Sequence, residues 1–272
     1  MYIEARTEKT NGSCYRFEKI EFKNSLLDID ATYIIHLENN GRLEHIKSQL
    51  NEFHPTKIVY ILYNKGYKNC EKNLHLNKSS IDLIDANLYI IKDAYNKNYK
   101  NILILEDDFI FNEKIKDKTV QKNVMKFINK NNYDIYSLGF LPFLQKAYDN
   151  NTSICLIGAG MHACIFSRKC INKILQVDKT KITDWDYFVG IKFTRYMYNE
   201  PLCYQLAPKT ENQDAWPELF GLKYVVLYII KKLKLDLQVE PGFTYLYNMS
   251  RVLYGLCVIL LVWLVVTVFN IF

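Results

Sequence analysis

The stretch that most constrains this chain is Asn101 to Asn112, which reads Asn-Ile-Leu-Ile-Leu-Glu-Asp-Asp-Phe-Ile-Phe-Asn. Four apolar residues, Ile102 to Leu105, run directly into three adjacent carboxylates, Glu106, Asp107 and Asp108. A short continuous apolar run is the pattern of a strand buried on both faces, as in a parallel sheet. Open α/β sheets bind their ligands beyond the carboxyl ends of such strands. Like charges this close repel, and a divalent cation offsets the repulsion while accepting hard oxygen ligands. Taken alone, the triplet reads equally as a turn whose acids face water.

The segments around it alternate between strand and helix patterns. Ala31 to Leu37 is a β-rich run, broken by Asn39, Asn40 and Gly41. Leu43, Ile46 and Leu50 recur at helical spacing, predicting a helix over 42–52. Lys57 to Tyr63 is a second apolar run, so the chain opens a βαβ unit. A polar loop over 66–78 precedes a helix from Ser79 or Ser80 to Asn98, with Ile81, Ile84, Leu88, Ile91 and Tyr95 facing inward. A helix over 118–130 and a strand over 133–138 follow. Residues 140–153 read as a surface loop. Ser153 to Phe166 is apolar and punctuated by Gly158 and Gly160, and a helix runs from Arg168 to Gln176. Asp184 and Asp186 open another helix, and a last strand is expected at 201–206. Ahead of all this, residues 1–30 form an extension in which Tyr15, Phe17, Ile20 and Phe22 hint at a strand.

The far end differs in kind. Val252 to Phe272 contains no charged residue. As a helix at about 1.5 Å per residue it would span roughly 31 Å, close to the ~30 Å thickness of a bilayer's hydrocarbon. It reads as a transmembrane anchor. Leu219 to Leu237, with Lys231, Lys232 and Lys234, reads either as a helix on the membrane surface or as the domain's last core helix. Arg251 and those lysines place the preceding domain on the cytosolic side. The resulting division is 1–30 extension, 31–218 domain, 219–251 basic juxtamembrane segment and 252–272 anchor.

Composition limits the alternatives. A net charge of +6 with lysines dispersed among acids suggests no nucleic-acid groove. The five histidines lack metal-binding spacing. The seven cysteines are odd in number and scattered, without a Cys-x-x-Cys pair, and read as free thiols in a reducing compartment.

Acids after a buried strand suit a nuclease, a phosphatase-like enzyme or a nucleotide-sugar transferase. The order of segments resembles glycosyltransferase family 25, which includes bacterial lipooligosaccharide and collagen galactosyltransferases. Four places carry the resemblance: Tyr33-Ile34-Ile35-His36-Leu37 with Arg42; Ile102 to Asp108; Gly160-Met161-His162-Ala163 through Ser167-Arg168-Lys169; and Asp184-Trp185-Asp186-Tyr187. It covers about residues 31–214. The family's Ser-His pair before the acidic strand is missing, and the late acidic motif carries one residue too many.

The resemblance implies a GT-A-type Rossmann-like nucleotide-sugar-binding fold and a metal-dependent inverting transfer from a UDP-sugar, galactose or glucose, to a glycan or protein hydroxyl. It implies Mn2+ or Mg2+ held by Asp108 with Glu106, and a nucleotide bordered by Arg42, Glu106, Asp107 and His162. Asp107 alternates toward the protein if the strand persists. An inverting transfer needs a base, for which Asp186 and Asp184 are both candidates. Gln213 and Asp214 fall where a late loop would reach the phosphates. A membrane-anchored relic that binds glycans or a protein without turnover is the competing reading.

Overall fold

In the computed structural model, residues 5–8, 13–130, 132–205 and 222–269 are described. The middle of the sheet is built from the apolar runs. β3 (Ala31–Leu37) lies between β4 (Ile58–Asn64) and β5 (Asn101–Glu106), parallel to both. The crossovers are α1 (Leu43–Phe53) and α2 (Ser79–Asn96). Strand alternation splits the core into two layers. Tyr33, Ile35, Ile102 and Ile104 pack on one face, and Ile34, Leu103 and Leu105 on the other.

The N-terminal extension is part of the sheet. β2 (Tyr15–Glu21) pairs antiparallel with β4, burying Tyr15, Phe17 and Ile20, and β1 (Ala5–Glu8) pairs with β2. On the other side of β5 come β8 (Thr152–Ser167) and β7 (Ile135–Ala147), then β9 (Arg195–Tyr198). β8 runs antiparallel to β5, so the eight-stranded sheet is mixed. β6 (Phe109–Phe111) and β10 (Cys203–Gln205) form a separate two-stranded sheet. The remaining helices before the C-terminal region are α3 (Lys118–Lys130), α4 (Arg168–Leu175) and α5 (Trp185–Lys192).

Several expectations are corrected. Residues 140–153 are mostly not loop: β7 continues to Ala147 and β8 starts at Thr152, with register shifts along the hairpin. Those irregularities destroy the two-residue alternation by which a strand is read. Tyr95 is exposed, and Ile90 takes its place on the buried face of α2. Cys14 and Cys70 are disulfide-bonded, so the reading of all seven cysteines as free thiols fails. Their separation of 56 residues gave no local pattern to recognise. The bond ties the start of β2 to the loop after β4. In the same loop Lys72 is buried, with Nζ on Asp82, on Asn64 Oδ1 at 2.6 Å and on the Tyr15 hydroxyl at 3.0 Å.

The C-terminal region is α6 (Leu222–Lys232) followed by α7 (Gly242–Phe269). Val226 and Ile230 of α6 join the core. The first turns of α7 do too, through Phe243, Leu246 and Tyr247. Gln145 of β7 donates to the Tyr247 carbonyl and to Ser250 Oγ, both at 2.6 Å. From Val252 to Val268 no residue is buried. α7 is long and apolar enough to cross a membrane.

Candidate functional site

The carboxyl ends of β3 and β5 lie side by side, with Ile35 opposite Glu106. The chain after β3 therefore passes the acidic triplet. Asn40 shapes that passage: its Oδ1 accepts from the Arg42 backbone N–H at 3.0 Å, and its Nδ2 donates to Asp107 Oδ2. Asp107 also accepts from the Leu37 N–H at 3.2 Å and from Arg42 Nη1 at 2.6 Å, and His36 Nδ1 lies 3.5 Å away. Burial works against its charge. The approach of His36 and the bonds from Arg42 and Asn40 outweigh burial and hold its carboxyl below the usual range. Asp107 is thus a buried anchor turned into the protein.

Glu106 and Asp108 point elsewhere, and both are half-buried. The β6–β10 pairing sets Gln205 opposite Phe109. Gln205 Nε2 then donates to Asp108 Oδ1 at 2.8 Å and to Glu106 Oε2 at 3.2 Å. Arg42 Nη1 reaches Asp108 Oδ2 at 3.0 Å. Burial pushes Glu106 up to about 8, helped by the charges of Asp108, Asp186 and Asp107 and offset in part by Gln205. Asp108 is raised as well, by burial first and by Asp107, against the opposing pull of Arg42. These two acids are the part of the site short of positive charge.

The late acids divide. Asp184 caps α5, accepting from the Tyr187 N–H at 2.8 Å. Asp186, in the first turn, accepts from the Gly160 N–H at 2.7 Å and the Met161 N–H at 3.4 Å. Gly160 has φ +77°, a left-handed conformation that glycine adopts freely, and this bend in β8 presents the two N–H groups together. Burial and the neighbouring Asp184 push Asp186 up to about 6. Its charge helps to raise Glu106, so the α5 acid lies within electrostatic reach of the acidic cluster at the end of β5.

His162 lies behind this cluster and has no exposed surface. Its Nε2 is 3.3 Å from the Cys203 carbonyl, while Nδ1 is buried without a partner. Burial drives its pKa down to about 4. A Cβ on Gly139 would stand 2.4 Å from His162 Nε2 and 2.2 Å from the Cys203 carbonyl oxygen. Only glycine lets β7 pass the ring and β10 so closely.

Sequence reasoning missed Gln205, Asn40 and His36 as members of the site. Asn40 was visible only as a strand breaker, and Gln205 only as part of a short final strand. Gln213 and Asp214 lie outside the described residues.

Among the described residues, no group of three or more His, Cys, Asp or Glu side chains is placed to hold a metal ion. Glu106 and Asp108, which share the Gln205 amide, are the carboxylates that could contribute oxygens to a cation held mainly by another ligand.

No protein-family model and no curated protein sequence matches the chain. Among solved structures it is similar to A197 from STIV, at 14% identity and a TM-score of 0.41, covering 67% of this chain and 87% of that one. It is also similar to a glycosyltransferase involved in the glycosylation of the major capsid of PBCV-1, at 12% identity and a TM-score of 0.37, covering 60% and 76%. At these scores neither likeness bears on what this chain does. The site has to be read from its own residues.

Proposed function

We propose that the chain is a metal-dependent glycosyltransferase of GT-A type that moves a sugar from a UDP-sugar to a hydroxyl of a glycan or glycoprotein. One observation carries this reading. Glu106 and Asp108 share the Gln205 amide at the carboxyl end of β5, both are raised in pKa, and Arg42 is the cation beside them. A divalent cation would add the positive charge that Arg42 alone does not give this pair, and the oxygens of a diphosphate would complete that cation's ligand set. Asp108 and Glu106 would hold Mn2+ or Mg2+, which when bound stabilises the charge on a departing diphosphate.

The protein's own groups account for the rest. Arg42, fixed by Asp107, has a side chain that is 35% exposed and so within reach of an anionic ligand. Asp186 is the base. Its two backbone hydrogen bonds hold it in place, and each carboxylate oxygen keeps a lone pair to accept the proton of an acceptor hydroxyl. Asp184 is spent on the helix cap. His162 supports β10 from behind, and the strand it supports carries Gln205.

A second reading has its own support. Both Asp108 oxygens are already bonded within the protein, to Arg42 and to Gln205. A relic that binds without turnover could retain that arrangement. Calorimetry with UDP in the presence of Mn2+, followed by a screen of nucleotide sugars scored by hydrolysis, separates the two. Metal-dependent binding with hydrolysis supports the enzyme, and absence of both defeats it.

A further inference from the structure

α7 joins the domain without a flexible linker. Phe243, Leu246 and Tyr247 are core residues, and a few residues later the helix is exposed. A helix docked in this way fixes the height and tilt of the domain over whatever surrounds residues 252–268. β7 and β8 carry an exposed apolar residue on the stretch that holds α7. Ile157 of β8, 51% exposed, pairs with Leu144, next to the Gln145 side chain that grips Tyr247 and Ser250.

α6 has the same two-sided character. While Val226 and Ile230 face the core, Val225 and Tyr228 are 53% and 66% exposed. Lys231, Lys232 and Lys234 follow, all exposed, and among the described residues none of them makes an ion pair. An apolar outer face ending in unpaired lysines is the pattern of a helix lying in a membrane interface, with its lysines against anionic headgroups.

We infer that the domain sits on the bilayer through a second contact, made by the outer face of α6 and the Ile157 corner of β8, and that its partner there is an anionic lipid surface. The span supplies continuity with that surface, and the lysines supply charge complementarity. Gly160 and Met161, which hold Asp186, are three and four residues along β8 from Ile157. At ~3.3 Å per residue that is about 10–13 Å. This inference rests on α7 being a span and is independent of the transferase reading.

The test uses the full chain in a Cys257→Ser background, because Cys257 is the exposed free cysteine among those described. It is reconstituted in phosphatidylcholine vesicles with and without one-third phosphatidylserine. A fluorophore is attached at Tyr228→Cys, Ile157→Cys, Leu260→Cys or Lys122→Cys. Quenching by a shallow lipid nitroxide is compared with quenching by aqueous iodide. The expected result is at least threefold stronger lipid quenching at 228 and 157 than at 122, with iodide protection that increases with phosphatidylserine. Labels at 228 and 157 that behave like 122, while 260 is lipid-quenched, overturn the seat. Iodide protection at 228 without lipid quenching also overturns it, since protein would then cover α6. An unquenched label at 260 removes the span and the seat together. None of these readouts depends on activity.

Discussion

Arg42 Nη1 lies 2.6 Å from Asp107 Oδ1, and this ion pair ties the loop after β3 to the turn after β5. Asp107 contributes by being held, whereas its neighbours Glu106 and Asp108 are left short of positive charge. The two kinds of acid respond differently to substitution.

Asp107→Ala removes a carboxylate that accepts from Leu37, Asn40 and Arg42. Removing one partner of a buried pair costs about 3–5 kcal/mol. Because Arg42 is about a third exposed, we expect a smaller loss, roughly 2–3 kcal/mol, measured by urea denaturation. Unchanged stability would show that the loop is held by other contacts.

Asp186 gives a pH dependence. Its pKa is raised to about 6 by burial and by Asp184. A base works ionised, so turnover should rise as pH climbs through about 6. Asp184→Asn removes a raising charge and should move that limb to lower pH. For stability the sign is opposite: a raised acid favours the folded state below its ordinary 3.8, and the benefit is lost as pH rises through 6. An acid limb that does not move in Asp184→Asn argues against Asp186 as the base.

His162 makes the fold acid-sensitive. Its pKa falls from 6.5 to about 4 on folding, so the unfolded chain takes up a proton first. Stability is therefore complete above about 6.5 and declines as pH drops toward 4, by on the order of 3 kcal/mol in total. Thermal unfolding between pH 7 and 4 should show this decline, less steeply in His162→Leu. Equal slopes in both proteins would assign the decline to other groups.

The two halves of α7 should behave differently. Ending the chain after Arg251 removes Val252 to Val268, none of which is buried, and should leave the unfolding midpoint within a degree or two. Phe243→Ala, by contrast, opens a hole beside Tyr204, whose ring is 5.2 Å away, and should cost about 3–5 kcal/mol. Tyr204 precedes Gln205, so this variant should also weaken UDP binding. A truncation as damaging as Phe243→Ala would mean that residues beyond 251 belong to the fold.

The Cys14–Cys70 bond should appear as a cross-linked peptide under non-reducing conditions. Cys14→Ser should destabilise by about 2–4 kcal/mol for a loop of this length. Such bonds persist in oxidising compartments, which weighs against the cytosolic placement read from the lysines. A free thiol at Cys70 in the purified protein would restore that placement.

Where side-chain periodicity is regular, the sequence was a sufficient guide. The runs 31–37 and 101–106 and the helix 118–130 lie where their patterns put them. The long β7–β8 hairpin was hidden because its bulges scramble the alternation, and β9 because four residues carry too little pattern. In the site, acids next to a strand end were visible because strand and triplet are contiguous. Gln205 was not, because it comes opposite Phe109 only once two three-residue strands pair. The split between Asp184 and Asp186 depends on the bend at Gly160, which spacing alone does not reveal.

The central claim is that Asp108 and Glu106 hold the cation of a nucleotide diphosphate. It is tested most directly by titrating UDP into the protein and into Asp108→Ala, each with Mn2+ and with EDTA. We predict binding by the native chain that EDTA abolishes, and its loss in Asp108→Ala with the unfolding midpoint retained. Binding that survives EDTA, or that Asp108→Ala leaves intact, would contradict the account.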